Sequence, residues 1–231
     1  MSGFDPDDTP DADDVAASRL SERATLAKAL ELRGIEAPRV LDAIRSVPRH
    51  LFVPESHAAA AYEDRALPIA HEQTISQPYI VACMTALLDL ERSSRVLEVG
   101  TGSGYQAAVL AALCDEVYSI EIIEELSRGA GRVLEDLGRG SVRLRVGDGN
   151  DGWSEHAPYD AIVVTAAAPT VPVRLVDQLA RGGRMVIPLA GPGRLQWIWI
   201  VERDGEGIVT RRRTIPVRFV TMTGNVQGSN D

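Results

Sequence analysis

The sequence predicts an α/β fold: a doubly wound, mainly parallel sheet, antiparallel at its C-terminal end and preceded by a helical extension. Three observations carry this reading. From Arg95 onward, short apolar strand-like runs alternate with helical patterns, the rhythm of parallel strands joined by right-handed helical crossovers. The first of these runs passes into a glycine-rich turn and then a helix, Arg95-Val96-Leu97-Glu98-Val99-Gly100-Thr101-Gly102-Ser103-Gly104-Tyr105. Beyond Leu195 the rhythm stops, and two β-rich stretches, Leu195 to Glu202 and Ile208 to Val220, flank the turn Asp204-Gly205-Glu206-Gly207 as a hairpin.

The elements follow in order. Leu20 to Arg33 reads as an amphipathic helix on leucines 20, 26, 30 and 32, ended by Gly34 as a C-cap. Pro38 opens a second helix to about Ser46, and Glu55 to Tyr62 reads as a third, short one. Strands are expected near 95–99, 116–120, 142–146, 160–165 and 183–188, with helices near 105–113, 123–137 and 172–180. The chain thus divides into an acidic tail (1–18) and a single domain (19–231). Within that domain, 19–92 form the helical region, 93–194 the core and 195–231 the C-terminal strands.

Bulk composition narrows the function classes. At 231 residues, 45% hydrophobic and 25% charged, the chain has the make-up of a globular domain with a sizeable core. No apolar run reaches the ~20 residues that span a bilayer, and the N-terminus lacks the features of a secretory signal, so a cytoplasmic address and no membrane partner are expected. The net charge of −9 is concentrated: residues 1–14 hold six Asp, and without them 27 acids face 24 bases. Such a tail is expected to be disordered and solvating. The run Arg211-Arg212-Arg213 is too short for a nucleic-acid surface, and alternate members of it are expected to face water on a strand. Cys83 and Cys114 lie in apolar stretches and read as free thiols. The histidines at 50, 57, 71 and 156 are scattered, so no metal site is expected.

The glycine turn carries the chemistry. Glycines at alternate positions let the backbone pass close beneath a ligand, since no Cβ intervenes. Tyr105 stands where a dinucleotide fingerprint needs its third glycine, and Gly100-x-Gly102-x-Gly104 is the form associated with S-adenosylmethionine. Glu121 ends the next apolar run, placed to hold a ribose diol. Ligands of such sheets bind beyond the carboxyl ends of the strands, where Gly100–Gly104, Glu121, Gly147-Asp148-Gly149 and Thr165-Ala166-Ala167 all fall. Asp148 is well placed to accept from an adenine amino group, but on its own it reads first as the turn-former of Gly-Asp-Gly. Ser76, just before Pro78, reads on its own as a helix cap.

Longer blocks carry a resemblance. They are Val47-Pro48-Arg49-His50-Leu51-Phe52-Val53-Pro54, Leu67-Pro68-Ile69, Thr74-Ile75-Ser76-Gln77-Pro78-Tyr79-Ile80-Val81, Pro158-Tyr159-Asp160-Ala161-Ile162-Val163-Val164-Thr165, Gly182-Gly183-Arg184-Met185-Val186-Ile187-Pro188 and Val217-Arg218-Phe219-Val220. From Leu20 to Met222 the sequence resembles protein-L-isoaspartate (D-aspartate) O-methyltransferases. The Thr-Ile-Ser-Gln-Pro block is the most specific part, since it precedes the cofactor core. The resemblance implies a Rossmann-like class I methyltransferase sheet and a monomer. It also implies S-adenosyl-L-methionine as methyl donor, and the free α-carboxylate of L-isoaspartyl residues in damaged proteins as acceptor. It implies Ser76 as the active-site residue, with Thr74 and Ser76 at the cofactor's methionine end. By the same carry-over Gly100, Gly102, Ser103 and Gly104 hold the cofactor, Glu121 the ribose, and Asp148 and Gly149 the adenine. A methyltransferase of the same lineage acting on an ordinary aspartate, and a non-catalytic S-adenosylmethionine-binding protein, are the alternatives. Ala70, Cys83, Leu189-Ala190 and Thr221-Met222 depart from the family pattern, and the last pair bears on how an extended acceptor would dock near Val220.

Overall fold

The computed structural model describes residues 19–224; the expectation for the acidic tail concerns residues outside this range. Helix α1 (Leu20–Leu32) and α2 (Pro38–Ser46) lead into 3-10 turns at Arg49–Phe52 and Glu55–Ala60. A two-stranded ribbon follows, β1 (Leu67–Pro68) with β2 (Thr74–Ile75), and then α3 (Pro78–Leu87). The alternating core is β3 (Arg95–Val99), α4 (Tyr105–Ala111), β4 (Glu116–Glu121), α5 (Glu124–Asp136), β5 (Arg143–Val146), β6 (Tyr159–Val164), α6 (Val173–Asp177) and β7 (Leu179–Ala190). The hairpin β8 (Gln196–Arg203) and β9 (Val209–Val217) closes the chain.

Seven strands form one sheet in the order β5-β4-β3-β6-β7-β8-β9. The first five are mutually parallel, and β8 and β9 are added antiparallel. Parallel strands covered on both faces should be near-continuous apolar runs, and Val96, Leu97 and Val99 of β3 and Ala161 to Val164 of β6 are all buried. The strand order reverses between β3 and its neighbours β4 and β6. Ligands of this architecture bind at that switch point, and the glycine turn follows β3.

Four expectations change. In α1 the buried face is Arg23, Leu26, Ala27 and Leu30, whereas Leu20 and Leu32 face water at 56% and 77% exposure. Leucine spacing alone put these two on the wrong side, because the true stripe includes an arginine. The third N-terminal helix is a 3-10 turn that stops at Ala60. The helix expected near 172–180 ends at Asp177, because Leu179 already pairs with Tyr159, and β7 then continues through Gly182 and Gly183 to Ala190. A Cβ on Gly183 would stand 2.9 Å from the Ala180 carbonyl oxygen, so only glycine fits that irregular stretch. Lastly, Arg211, Arg212 and Arg213 are all exposed on the edge strand, with Arg211 over the Trp199 ring (5.8 Å) and Arg213 over Trp197 (4.3 Å). Charge along a free edge discourages pairing with other chains. Among the described residues no helix is long and apolar enough to cross a membrane, and no cluster of metal-ligating side chains occurs.

Candidate active site

The cleft at the switch point is built from three sources: the glycine turn, the β1–β2 ribbon and the segment after β9. In the turn, Gly100, Gly102 and Gly104 all have positive φ (98°, 54° and 89°). Gly100 donates its N–H to the Ile120 carbonyl (2.8 Å) while its own carbonyl accepts from the Thr165 hydroxyl (2.6 Å), so the turn is pinned to the strands on both sides. A Cβ at Gly100 would stand 2.4 Å from that Thr165 oxygen, whereas one at Gly102 would meet only the Ile69 Cδ1 at 3.8 Å. The outer face of the turn is therefore open to a ligand at Gly102.

Glu121 is buried at the end of β4. Its two carboxylate oxygens accept from the Gly102 N–H (2.8 Å) and the Ile123 N–H (3.0 Å). Each oxygen keeps a second lone pair, so the group holds the turn in shape and still has acceptor capacity toward the cleft it lines.

A polar chain lies under the turn that the sequence did not reveal. The Ser119 hydroxyl donates to the Glu98 carboxyl (2.5 Å) and shares a second hydrogen bond with the Thr101 hydroxyl (2.6 Å), and all three residues are buried. Burial pushes the Glu98 carboxyl up to about 8, against the opposing pull of the Ser119 hydrogen bond, so it is a neutral acid at pH 7. Between pH 4.5 and about 8 the unfolded chain loses this proton while the folded protein keeps it, so stability falls as pH rises through that window. Glu98→Gln, which cannot ionise, should gain stability on the parent as pH rises through that window. Denaturant midpoints at pH 5 and pH 8 check this; midpoints that change in parallel for both proteins would contradict it.

The ribbon delivers the segment that precedes the core. Leu67 pairs with Ile75 and Pro68 with Thr74, and the connection turns through His71 and Glu72 in left-handed conformations (φ 55° and 57°). Leu67 and Ile75 are buried. Because side chains alternate along a strand, anchoring Ile75 leaves Thr74 and Ser76 on the other side, and both line the cleft. The N-cap of α3 is Gln77, and no side chain of that residue caps it; the Asp64 carboxylate instead accepts from the Tyr79 N–H (2.8 Å). The Ser76 hydroxyl is therefore not consumed as a helix cap, contrary to the reading of that residue in isolation.

The structure brings together Thr74, Ser76, Gly100, Gly102, Ser103, Glu121 and Gly149 on one cleft. Gly104 lies behind it: as the N-cap of α4 it is buried against Ala130 and Phe52. Asp148 also stands off the lining. Its Oδ1 accepts from the Asn150 backbone and side-chain N–H groups (both 2.9 Å), and a Cβ on Gly224 would meet its carboxylate at 2.4 Å. The turn reading of Gly-Asp-Gly thus describes its geometry. Gly149 cannot carry a side chain, since a Cβ there would stand 2.3 Å from Val99 Cγ1.

Sequence reasoning placed an extended acceptor near Val220 but named no residue of this third wall as lining the site. Phe219 to Thr223 line the cleft, held by hydrogen bonds from the Ala167 N–H to the Val220 carbonyl and from the Met222 N–H to the Ala167 carbonyl (both 2.8 Å). Those two groups are thereby unavailable to an extended acceptor, whereas Thr221, between them, is exposed. Met84, Val81 and Ile80 of α3 and Gln106 of α4 also line the cleft. Ile80 and Val81 end the Thr74–Val81 block, whereas Met84 and Gln106 had no sequence signal beyond standing close to the motifs.

A model of the family "Protein-L-isoaspartate(D-aspartate) O-methyltransferase (PCMT)" matches residues 21–227, which include all three walls of this cleft. The chain belongs to this family. A protein-L-isoaspartate O-methyltransferase 2 of Syntrophobacter fumaroxidans is 57% identical over 187 residues, covering 81% of this chain and 76% of its own. The protein-L-isoaspartate O-methyltransferase of Gloeobacter violaceus is 53% identical over 194 residues, covering 84% and 94%. Among solved structures, a protein-L-isoaspartate O-methyltransferase superposes with a TM-score of 0.81 at 31% identity, over 88% of this chain and 67% of that one. A putative family member from Plasmodium falciparum, in complex with S-adenosyl-L-homocysteine, superposes with a TM-score of 0.77 at 25% identity, over 88% and 99%. The isoaspartate O-methyltransferase family thus shares both the sheet and the N-terminal and C-terminal additions that wall the cleft.

Proposed function

We propose that this protein methylates the free α-carboxylate of L-isoaspartyl residues in damaged proteins, using S-adenosylmethionine. The ester then closes to a succinimide without further help, and hydrolysis returns part of it to aspartate. One observation carries the site assignment: Thr74 and Ser76, from outside the core, line the same cleft as the Gly100–Gly104 turn and Glu121. A methyltransferase needs donor and acceptor in one place, and this is where the chain offers both.

The residues present suit the donor. Gly102 leaves open space above the turn, Glu121 has acceptor capacity for ribose hydroxyls, and Val99, Ile120, Ile122 and Met222 give apolar walls for a flat base. Bound there, S-adenosylmethionine supplies a methyl group on a positively charged sulfur. Gly100, Gly102, Ser103 and Glu121 hold it on the turn side and Thr74 and Ser76 at its methionine end. Asp148 and Gly149 would serve the adenine end, while Gly104, buried as the N-cap of α4, shapes the turn from behind.

The acceptor demands no general base, because a carboxylate with a pKa near 4 is already ionised at pH 7. What remains is alignment, and holding reactants in line is worth roughly 7–11 kcal/mol of barrier. On this reading the Ser76 hydroxyl, on the cleft wall, donates to the acceptor carboxylate and fixes its direction. Incubation with methyl-labelled S-adenosylmethionine and a matched pair of isoaspartyl and aspartyl peptides tests this. Label in the isoaspartyl peptide alone is expected. Label confined to the aspartyl twin would assign the other carboxylate, and label in neither would leave a binding protein.

A further inference from the structure

Arg49 is a large, fully buried cation, and its surroundings are unusual. Its Nε donates to the Ala61 carbonyl and its Nη2 to the Ser76 carbonyl (both 2.9 Å). The guanidinium carbon lies 4.8 Å from the centre of the Tyr105 ring, the first residue after the glycine turn. Among the described residues no carboxylate pairs with it, and its Nη1 has no hydrogen-bond partner. The Tyr105 hydroxyl beside it is buried and unpartnered as well. Burial lowers the guanidinium only to about 10, so it is charged at neutral pH.

A buried charge without a counter-charge costs free energy, and proteins ordinarily pair such groups. The two carbonyls and the ring face of Tyr105 offset part of that cost, but none carries a negative charge. Two of its contacts, Ser76 and Tyr105, line the cleft, so the charge lies directly behind the wall where the acceptor carboxylate belongs on the methyl-transfer reading. We propose that Arg49 is a positioning residue for the acceptor: it fixes Ser76 through the backbone carbonyl, and its unpaired charge draws the acceptor's free carboxylate to that end of the cleft. A planar fork reaching two carbonyls and a permanent positive charge are two separable properties, and lysine keeps only the second.

The inference rests on the methyl-transfer reading, and its test separates the two. Parent, Arg49→Lys and Arg49→Met are compared in methylation of an isoaspartyl peptide. In the presence of S-adenosylhomocysteine, equilibrium binding of that peptide is then compared with that of its α-carboxamide analogue, which lacks the charge. The parent should prefer the carboxylate form by about tenfold or more. Arg49→Lys should keep that preference within about threefold while kcat falls, because Ser76 is no longer clamped. Arg49→Met should lose most of the preference with S-adenosylhomocysteine affinity unchanged. An undiminished preference in a folded Arg49→Met protein overturns the proposal. If that variant does not fold, Arg49→Lys decides, and loss of its preference or an unchanged kcat overturns it. A parent that methylates no isoaspartyl peptide sinks the functional reading instead.

Discussion

Glu121→Ala is expected to weaken binding of S-adenosylhomocysteine by about 100-fold, which corresponds to about 2.7 kcal/mol. The carboxylate accepts from the Gly102 and Ile123 N–H groups, so its removal leaves two donors at the turn without partners. Hydrogen bonds to a charged group are worth about 1.5–3 kcal/mol each, and the ribose contact is lost in addition. Glu121→Gln should fall between parent and alanine, because one arm of the amide presents a donor to a backbone donor. Calorimetric titration checks the series. A folded Glu121→Ala protein that binds within threefold of the parent contradicts the assignment.

Ser76→Ala should behave in the opposite way: kcat lowered by about 100-fold with S-adenosylhomocysteine affinity within twofold of the parent. Stability should change by less than about 0.5 kcal/mol, since the hydroxyl caps no helix and sits on the half-exposed wall of a cleft. The contrast between the two variants is what matters. Glu121 is built into the shape of the donor side, whereas Ser76 stands at the donor's methionine end, where the acceptor's carboxylate arrives. Equal turnover in Ser76→Ala and parent removes the serine from the chemistry. Equal losses of turnover and of cofactor affinity would make it a structural residue of the ribbon.

The core strands were legible because buried parallel strands are near-continuously apolar: Ala161 to Val164, and Val96, Leu97 and Val99 around the single acid Glu98, could be little else. The glycine turn was legible because its three positive φ angles demand glycine. Elements stabilised by contacts remote in sequence were not. Leu20 and Leu32 look like core residues until Arg23 is seen to be buried in their place. The start of β7 at Leu179 depends on pairing with Tyr159, and the Phe219–Thr223 wall depends on Ala167, both far away along the chain. Asp148 suits either a ligand or a turn by position, and its Oδ1 accepts from the Asn150 backbone and side-chain N–H groups as the turn reading expects. Ser76 had no distinguishing local signal. Its significance came from the surrounding block, and its geometry comes from the alternation that anchors Ile75. The Glu98–Ser119–Thr101 chain links two neighbouring strands and the turn, so no single stretch of sequence could announce it.

The central claim is that one cleft joins a methyl donor to the α-carboxylate of an isoaspartyl residue. Chromatography of a single isoaspartyl peptide, incubated with the protein and S-adenosylmethionine and sampled over time, tests it most directly. The account predicts a methyl ester first, then a succinimide, then the ordinary aspartyl peptide, none of them formed without the protein at a comparable rate. An isoaspartyl peptide that stays unchanged while its aspartyl twin becomes esterified would contradict it.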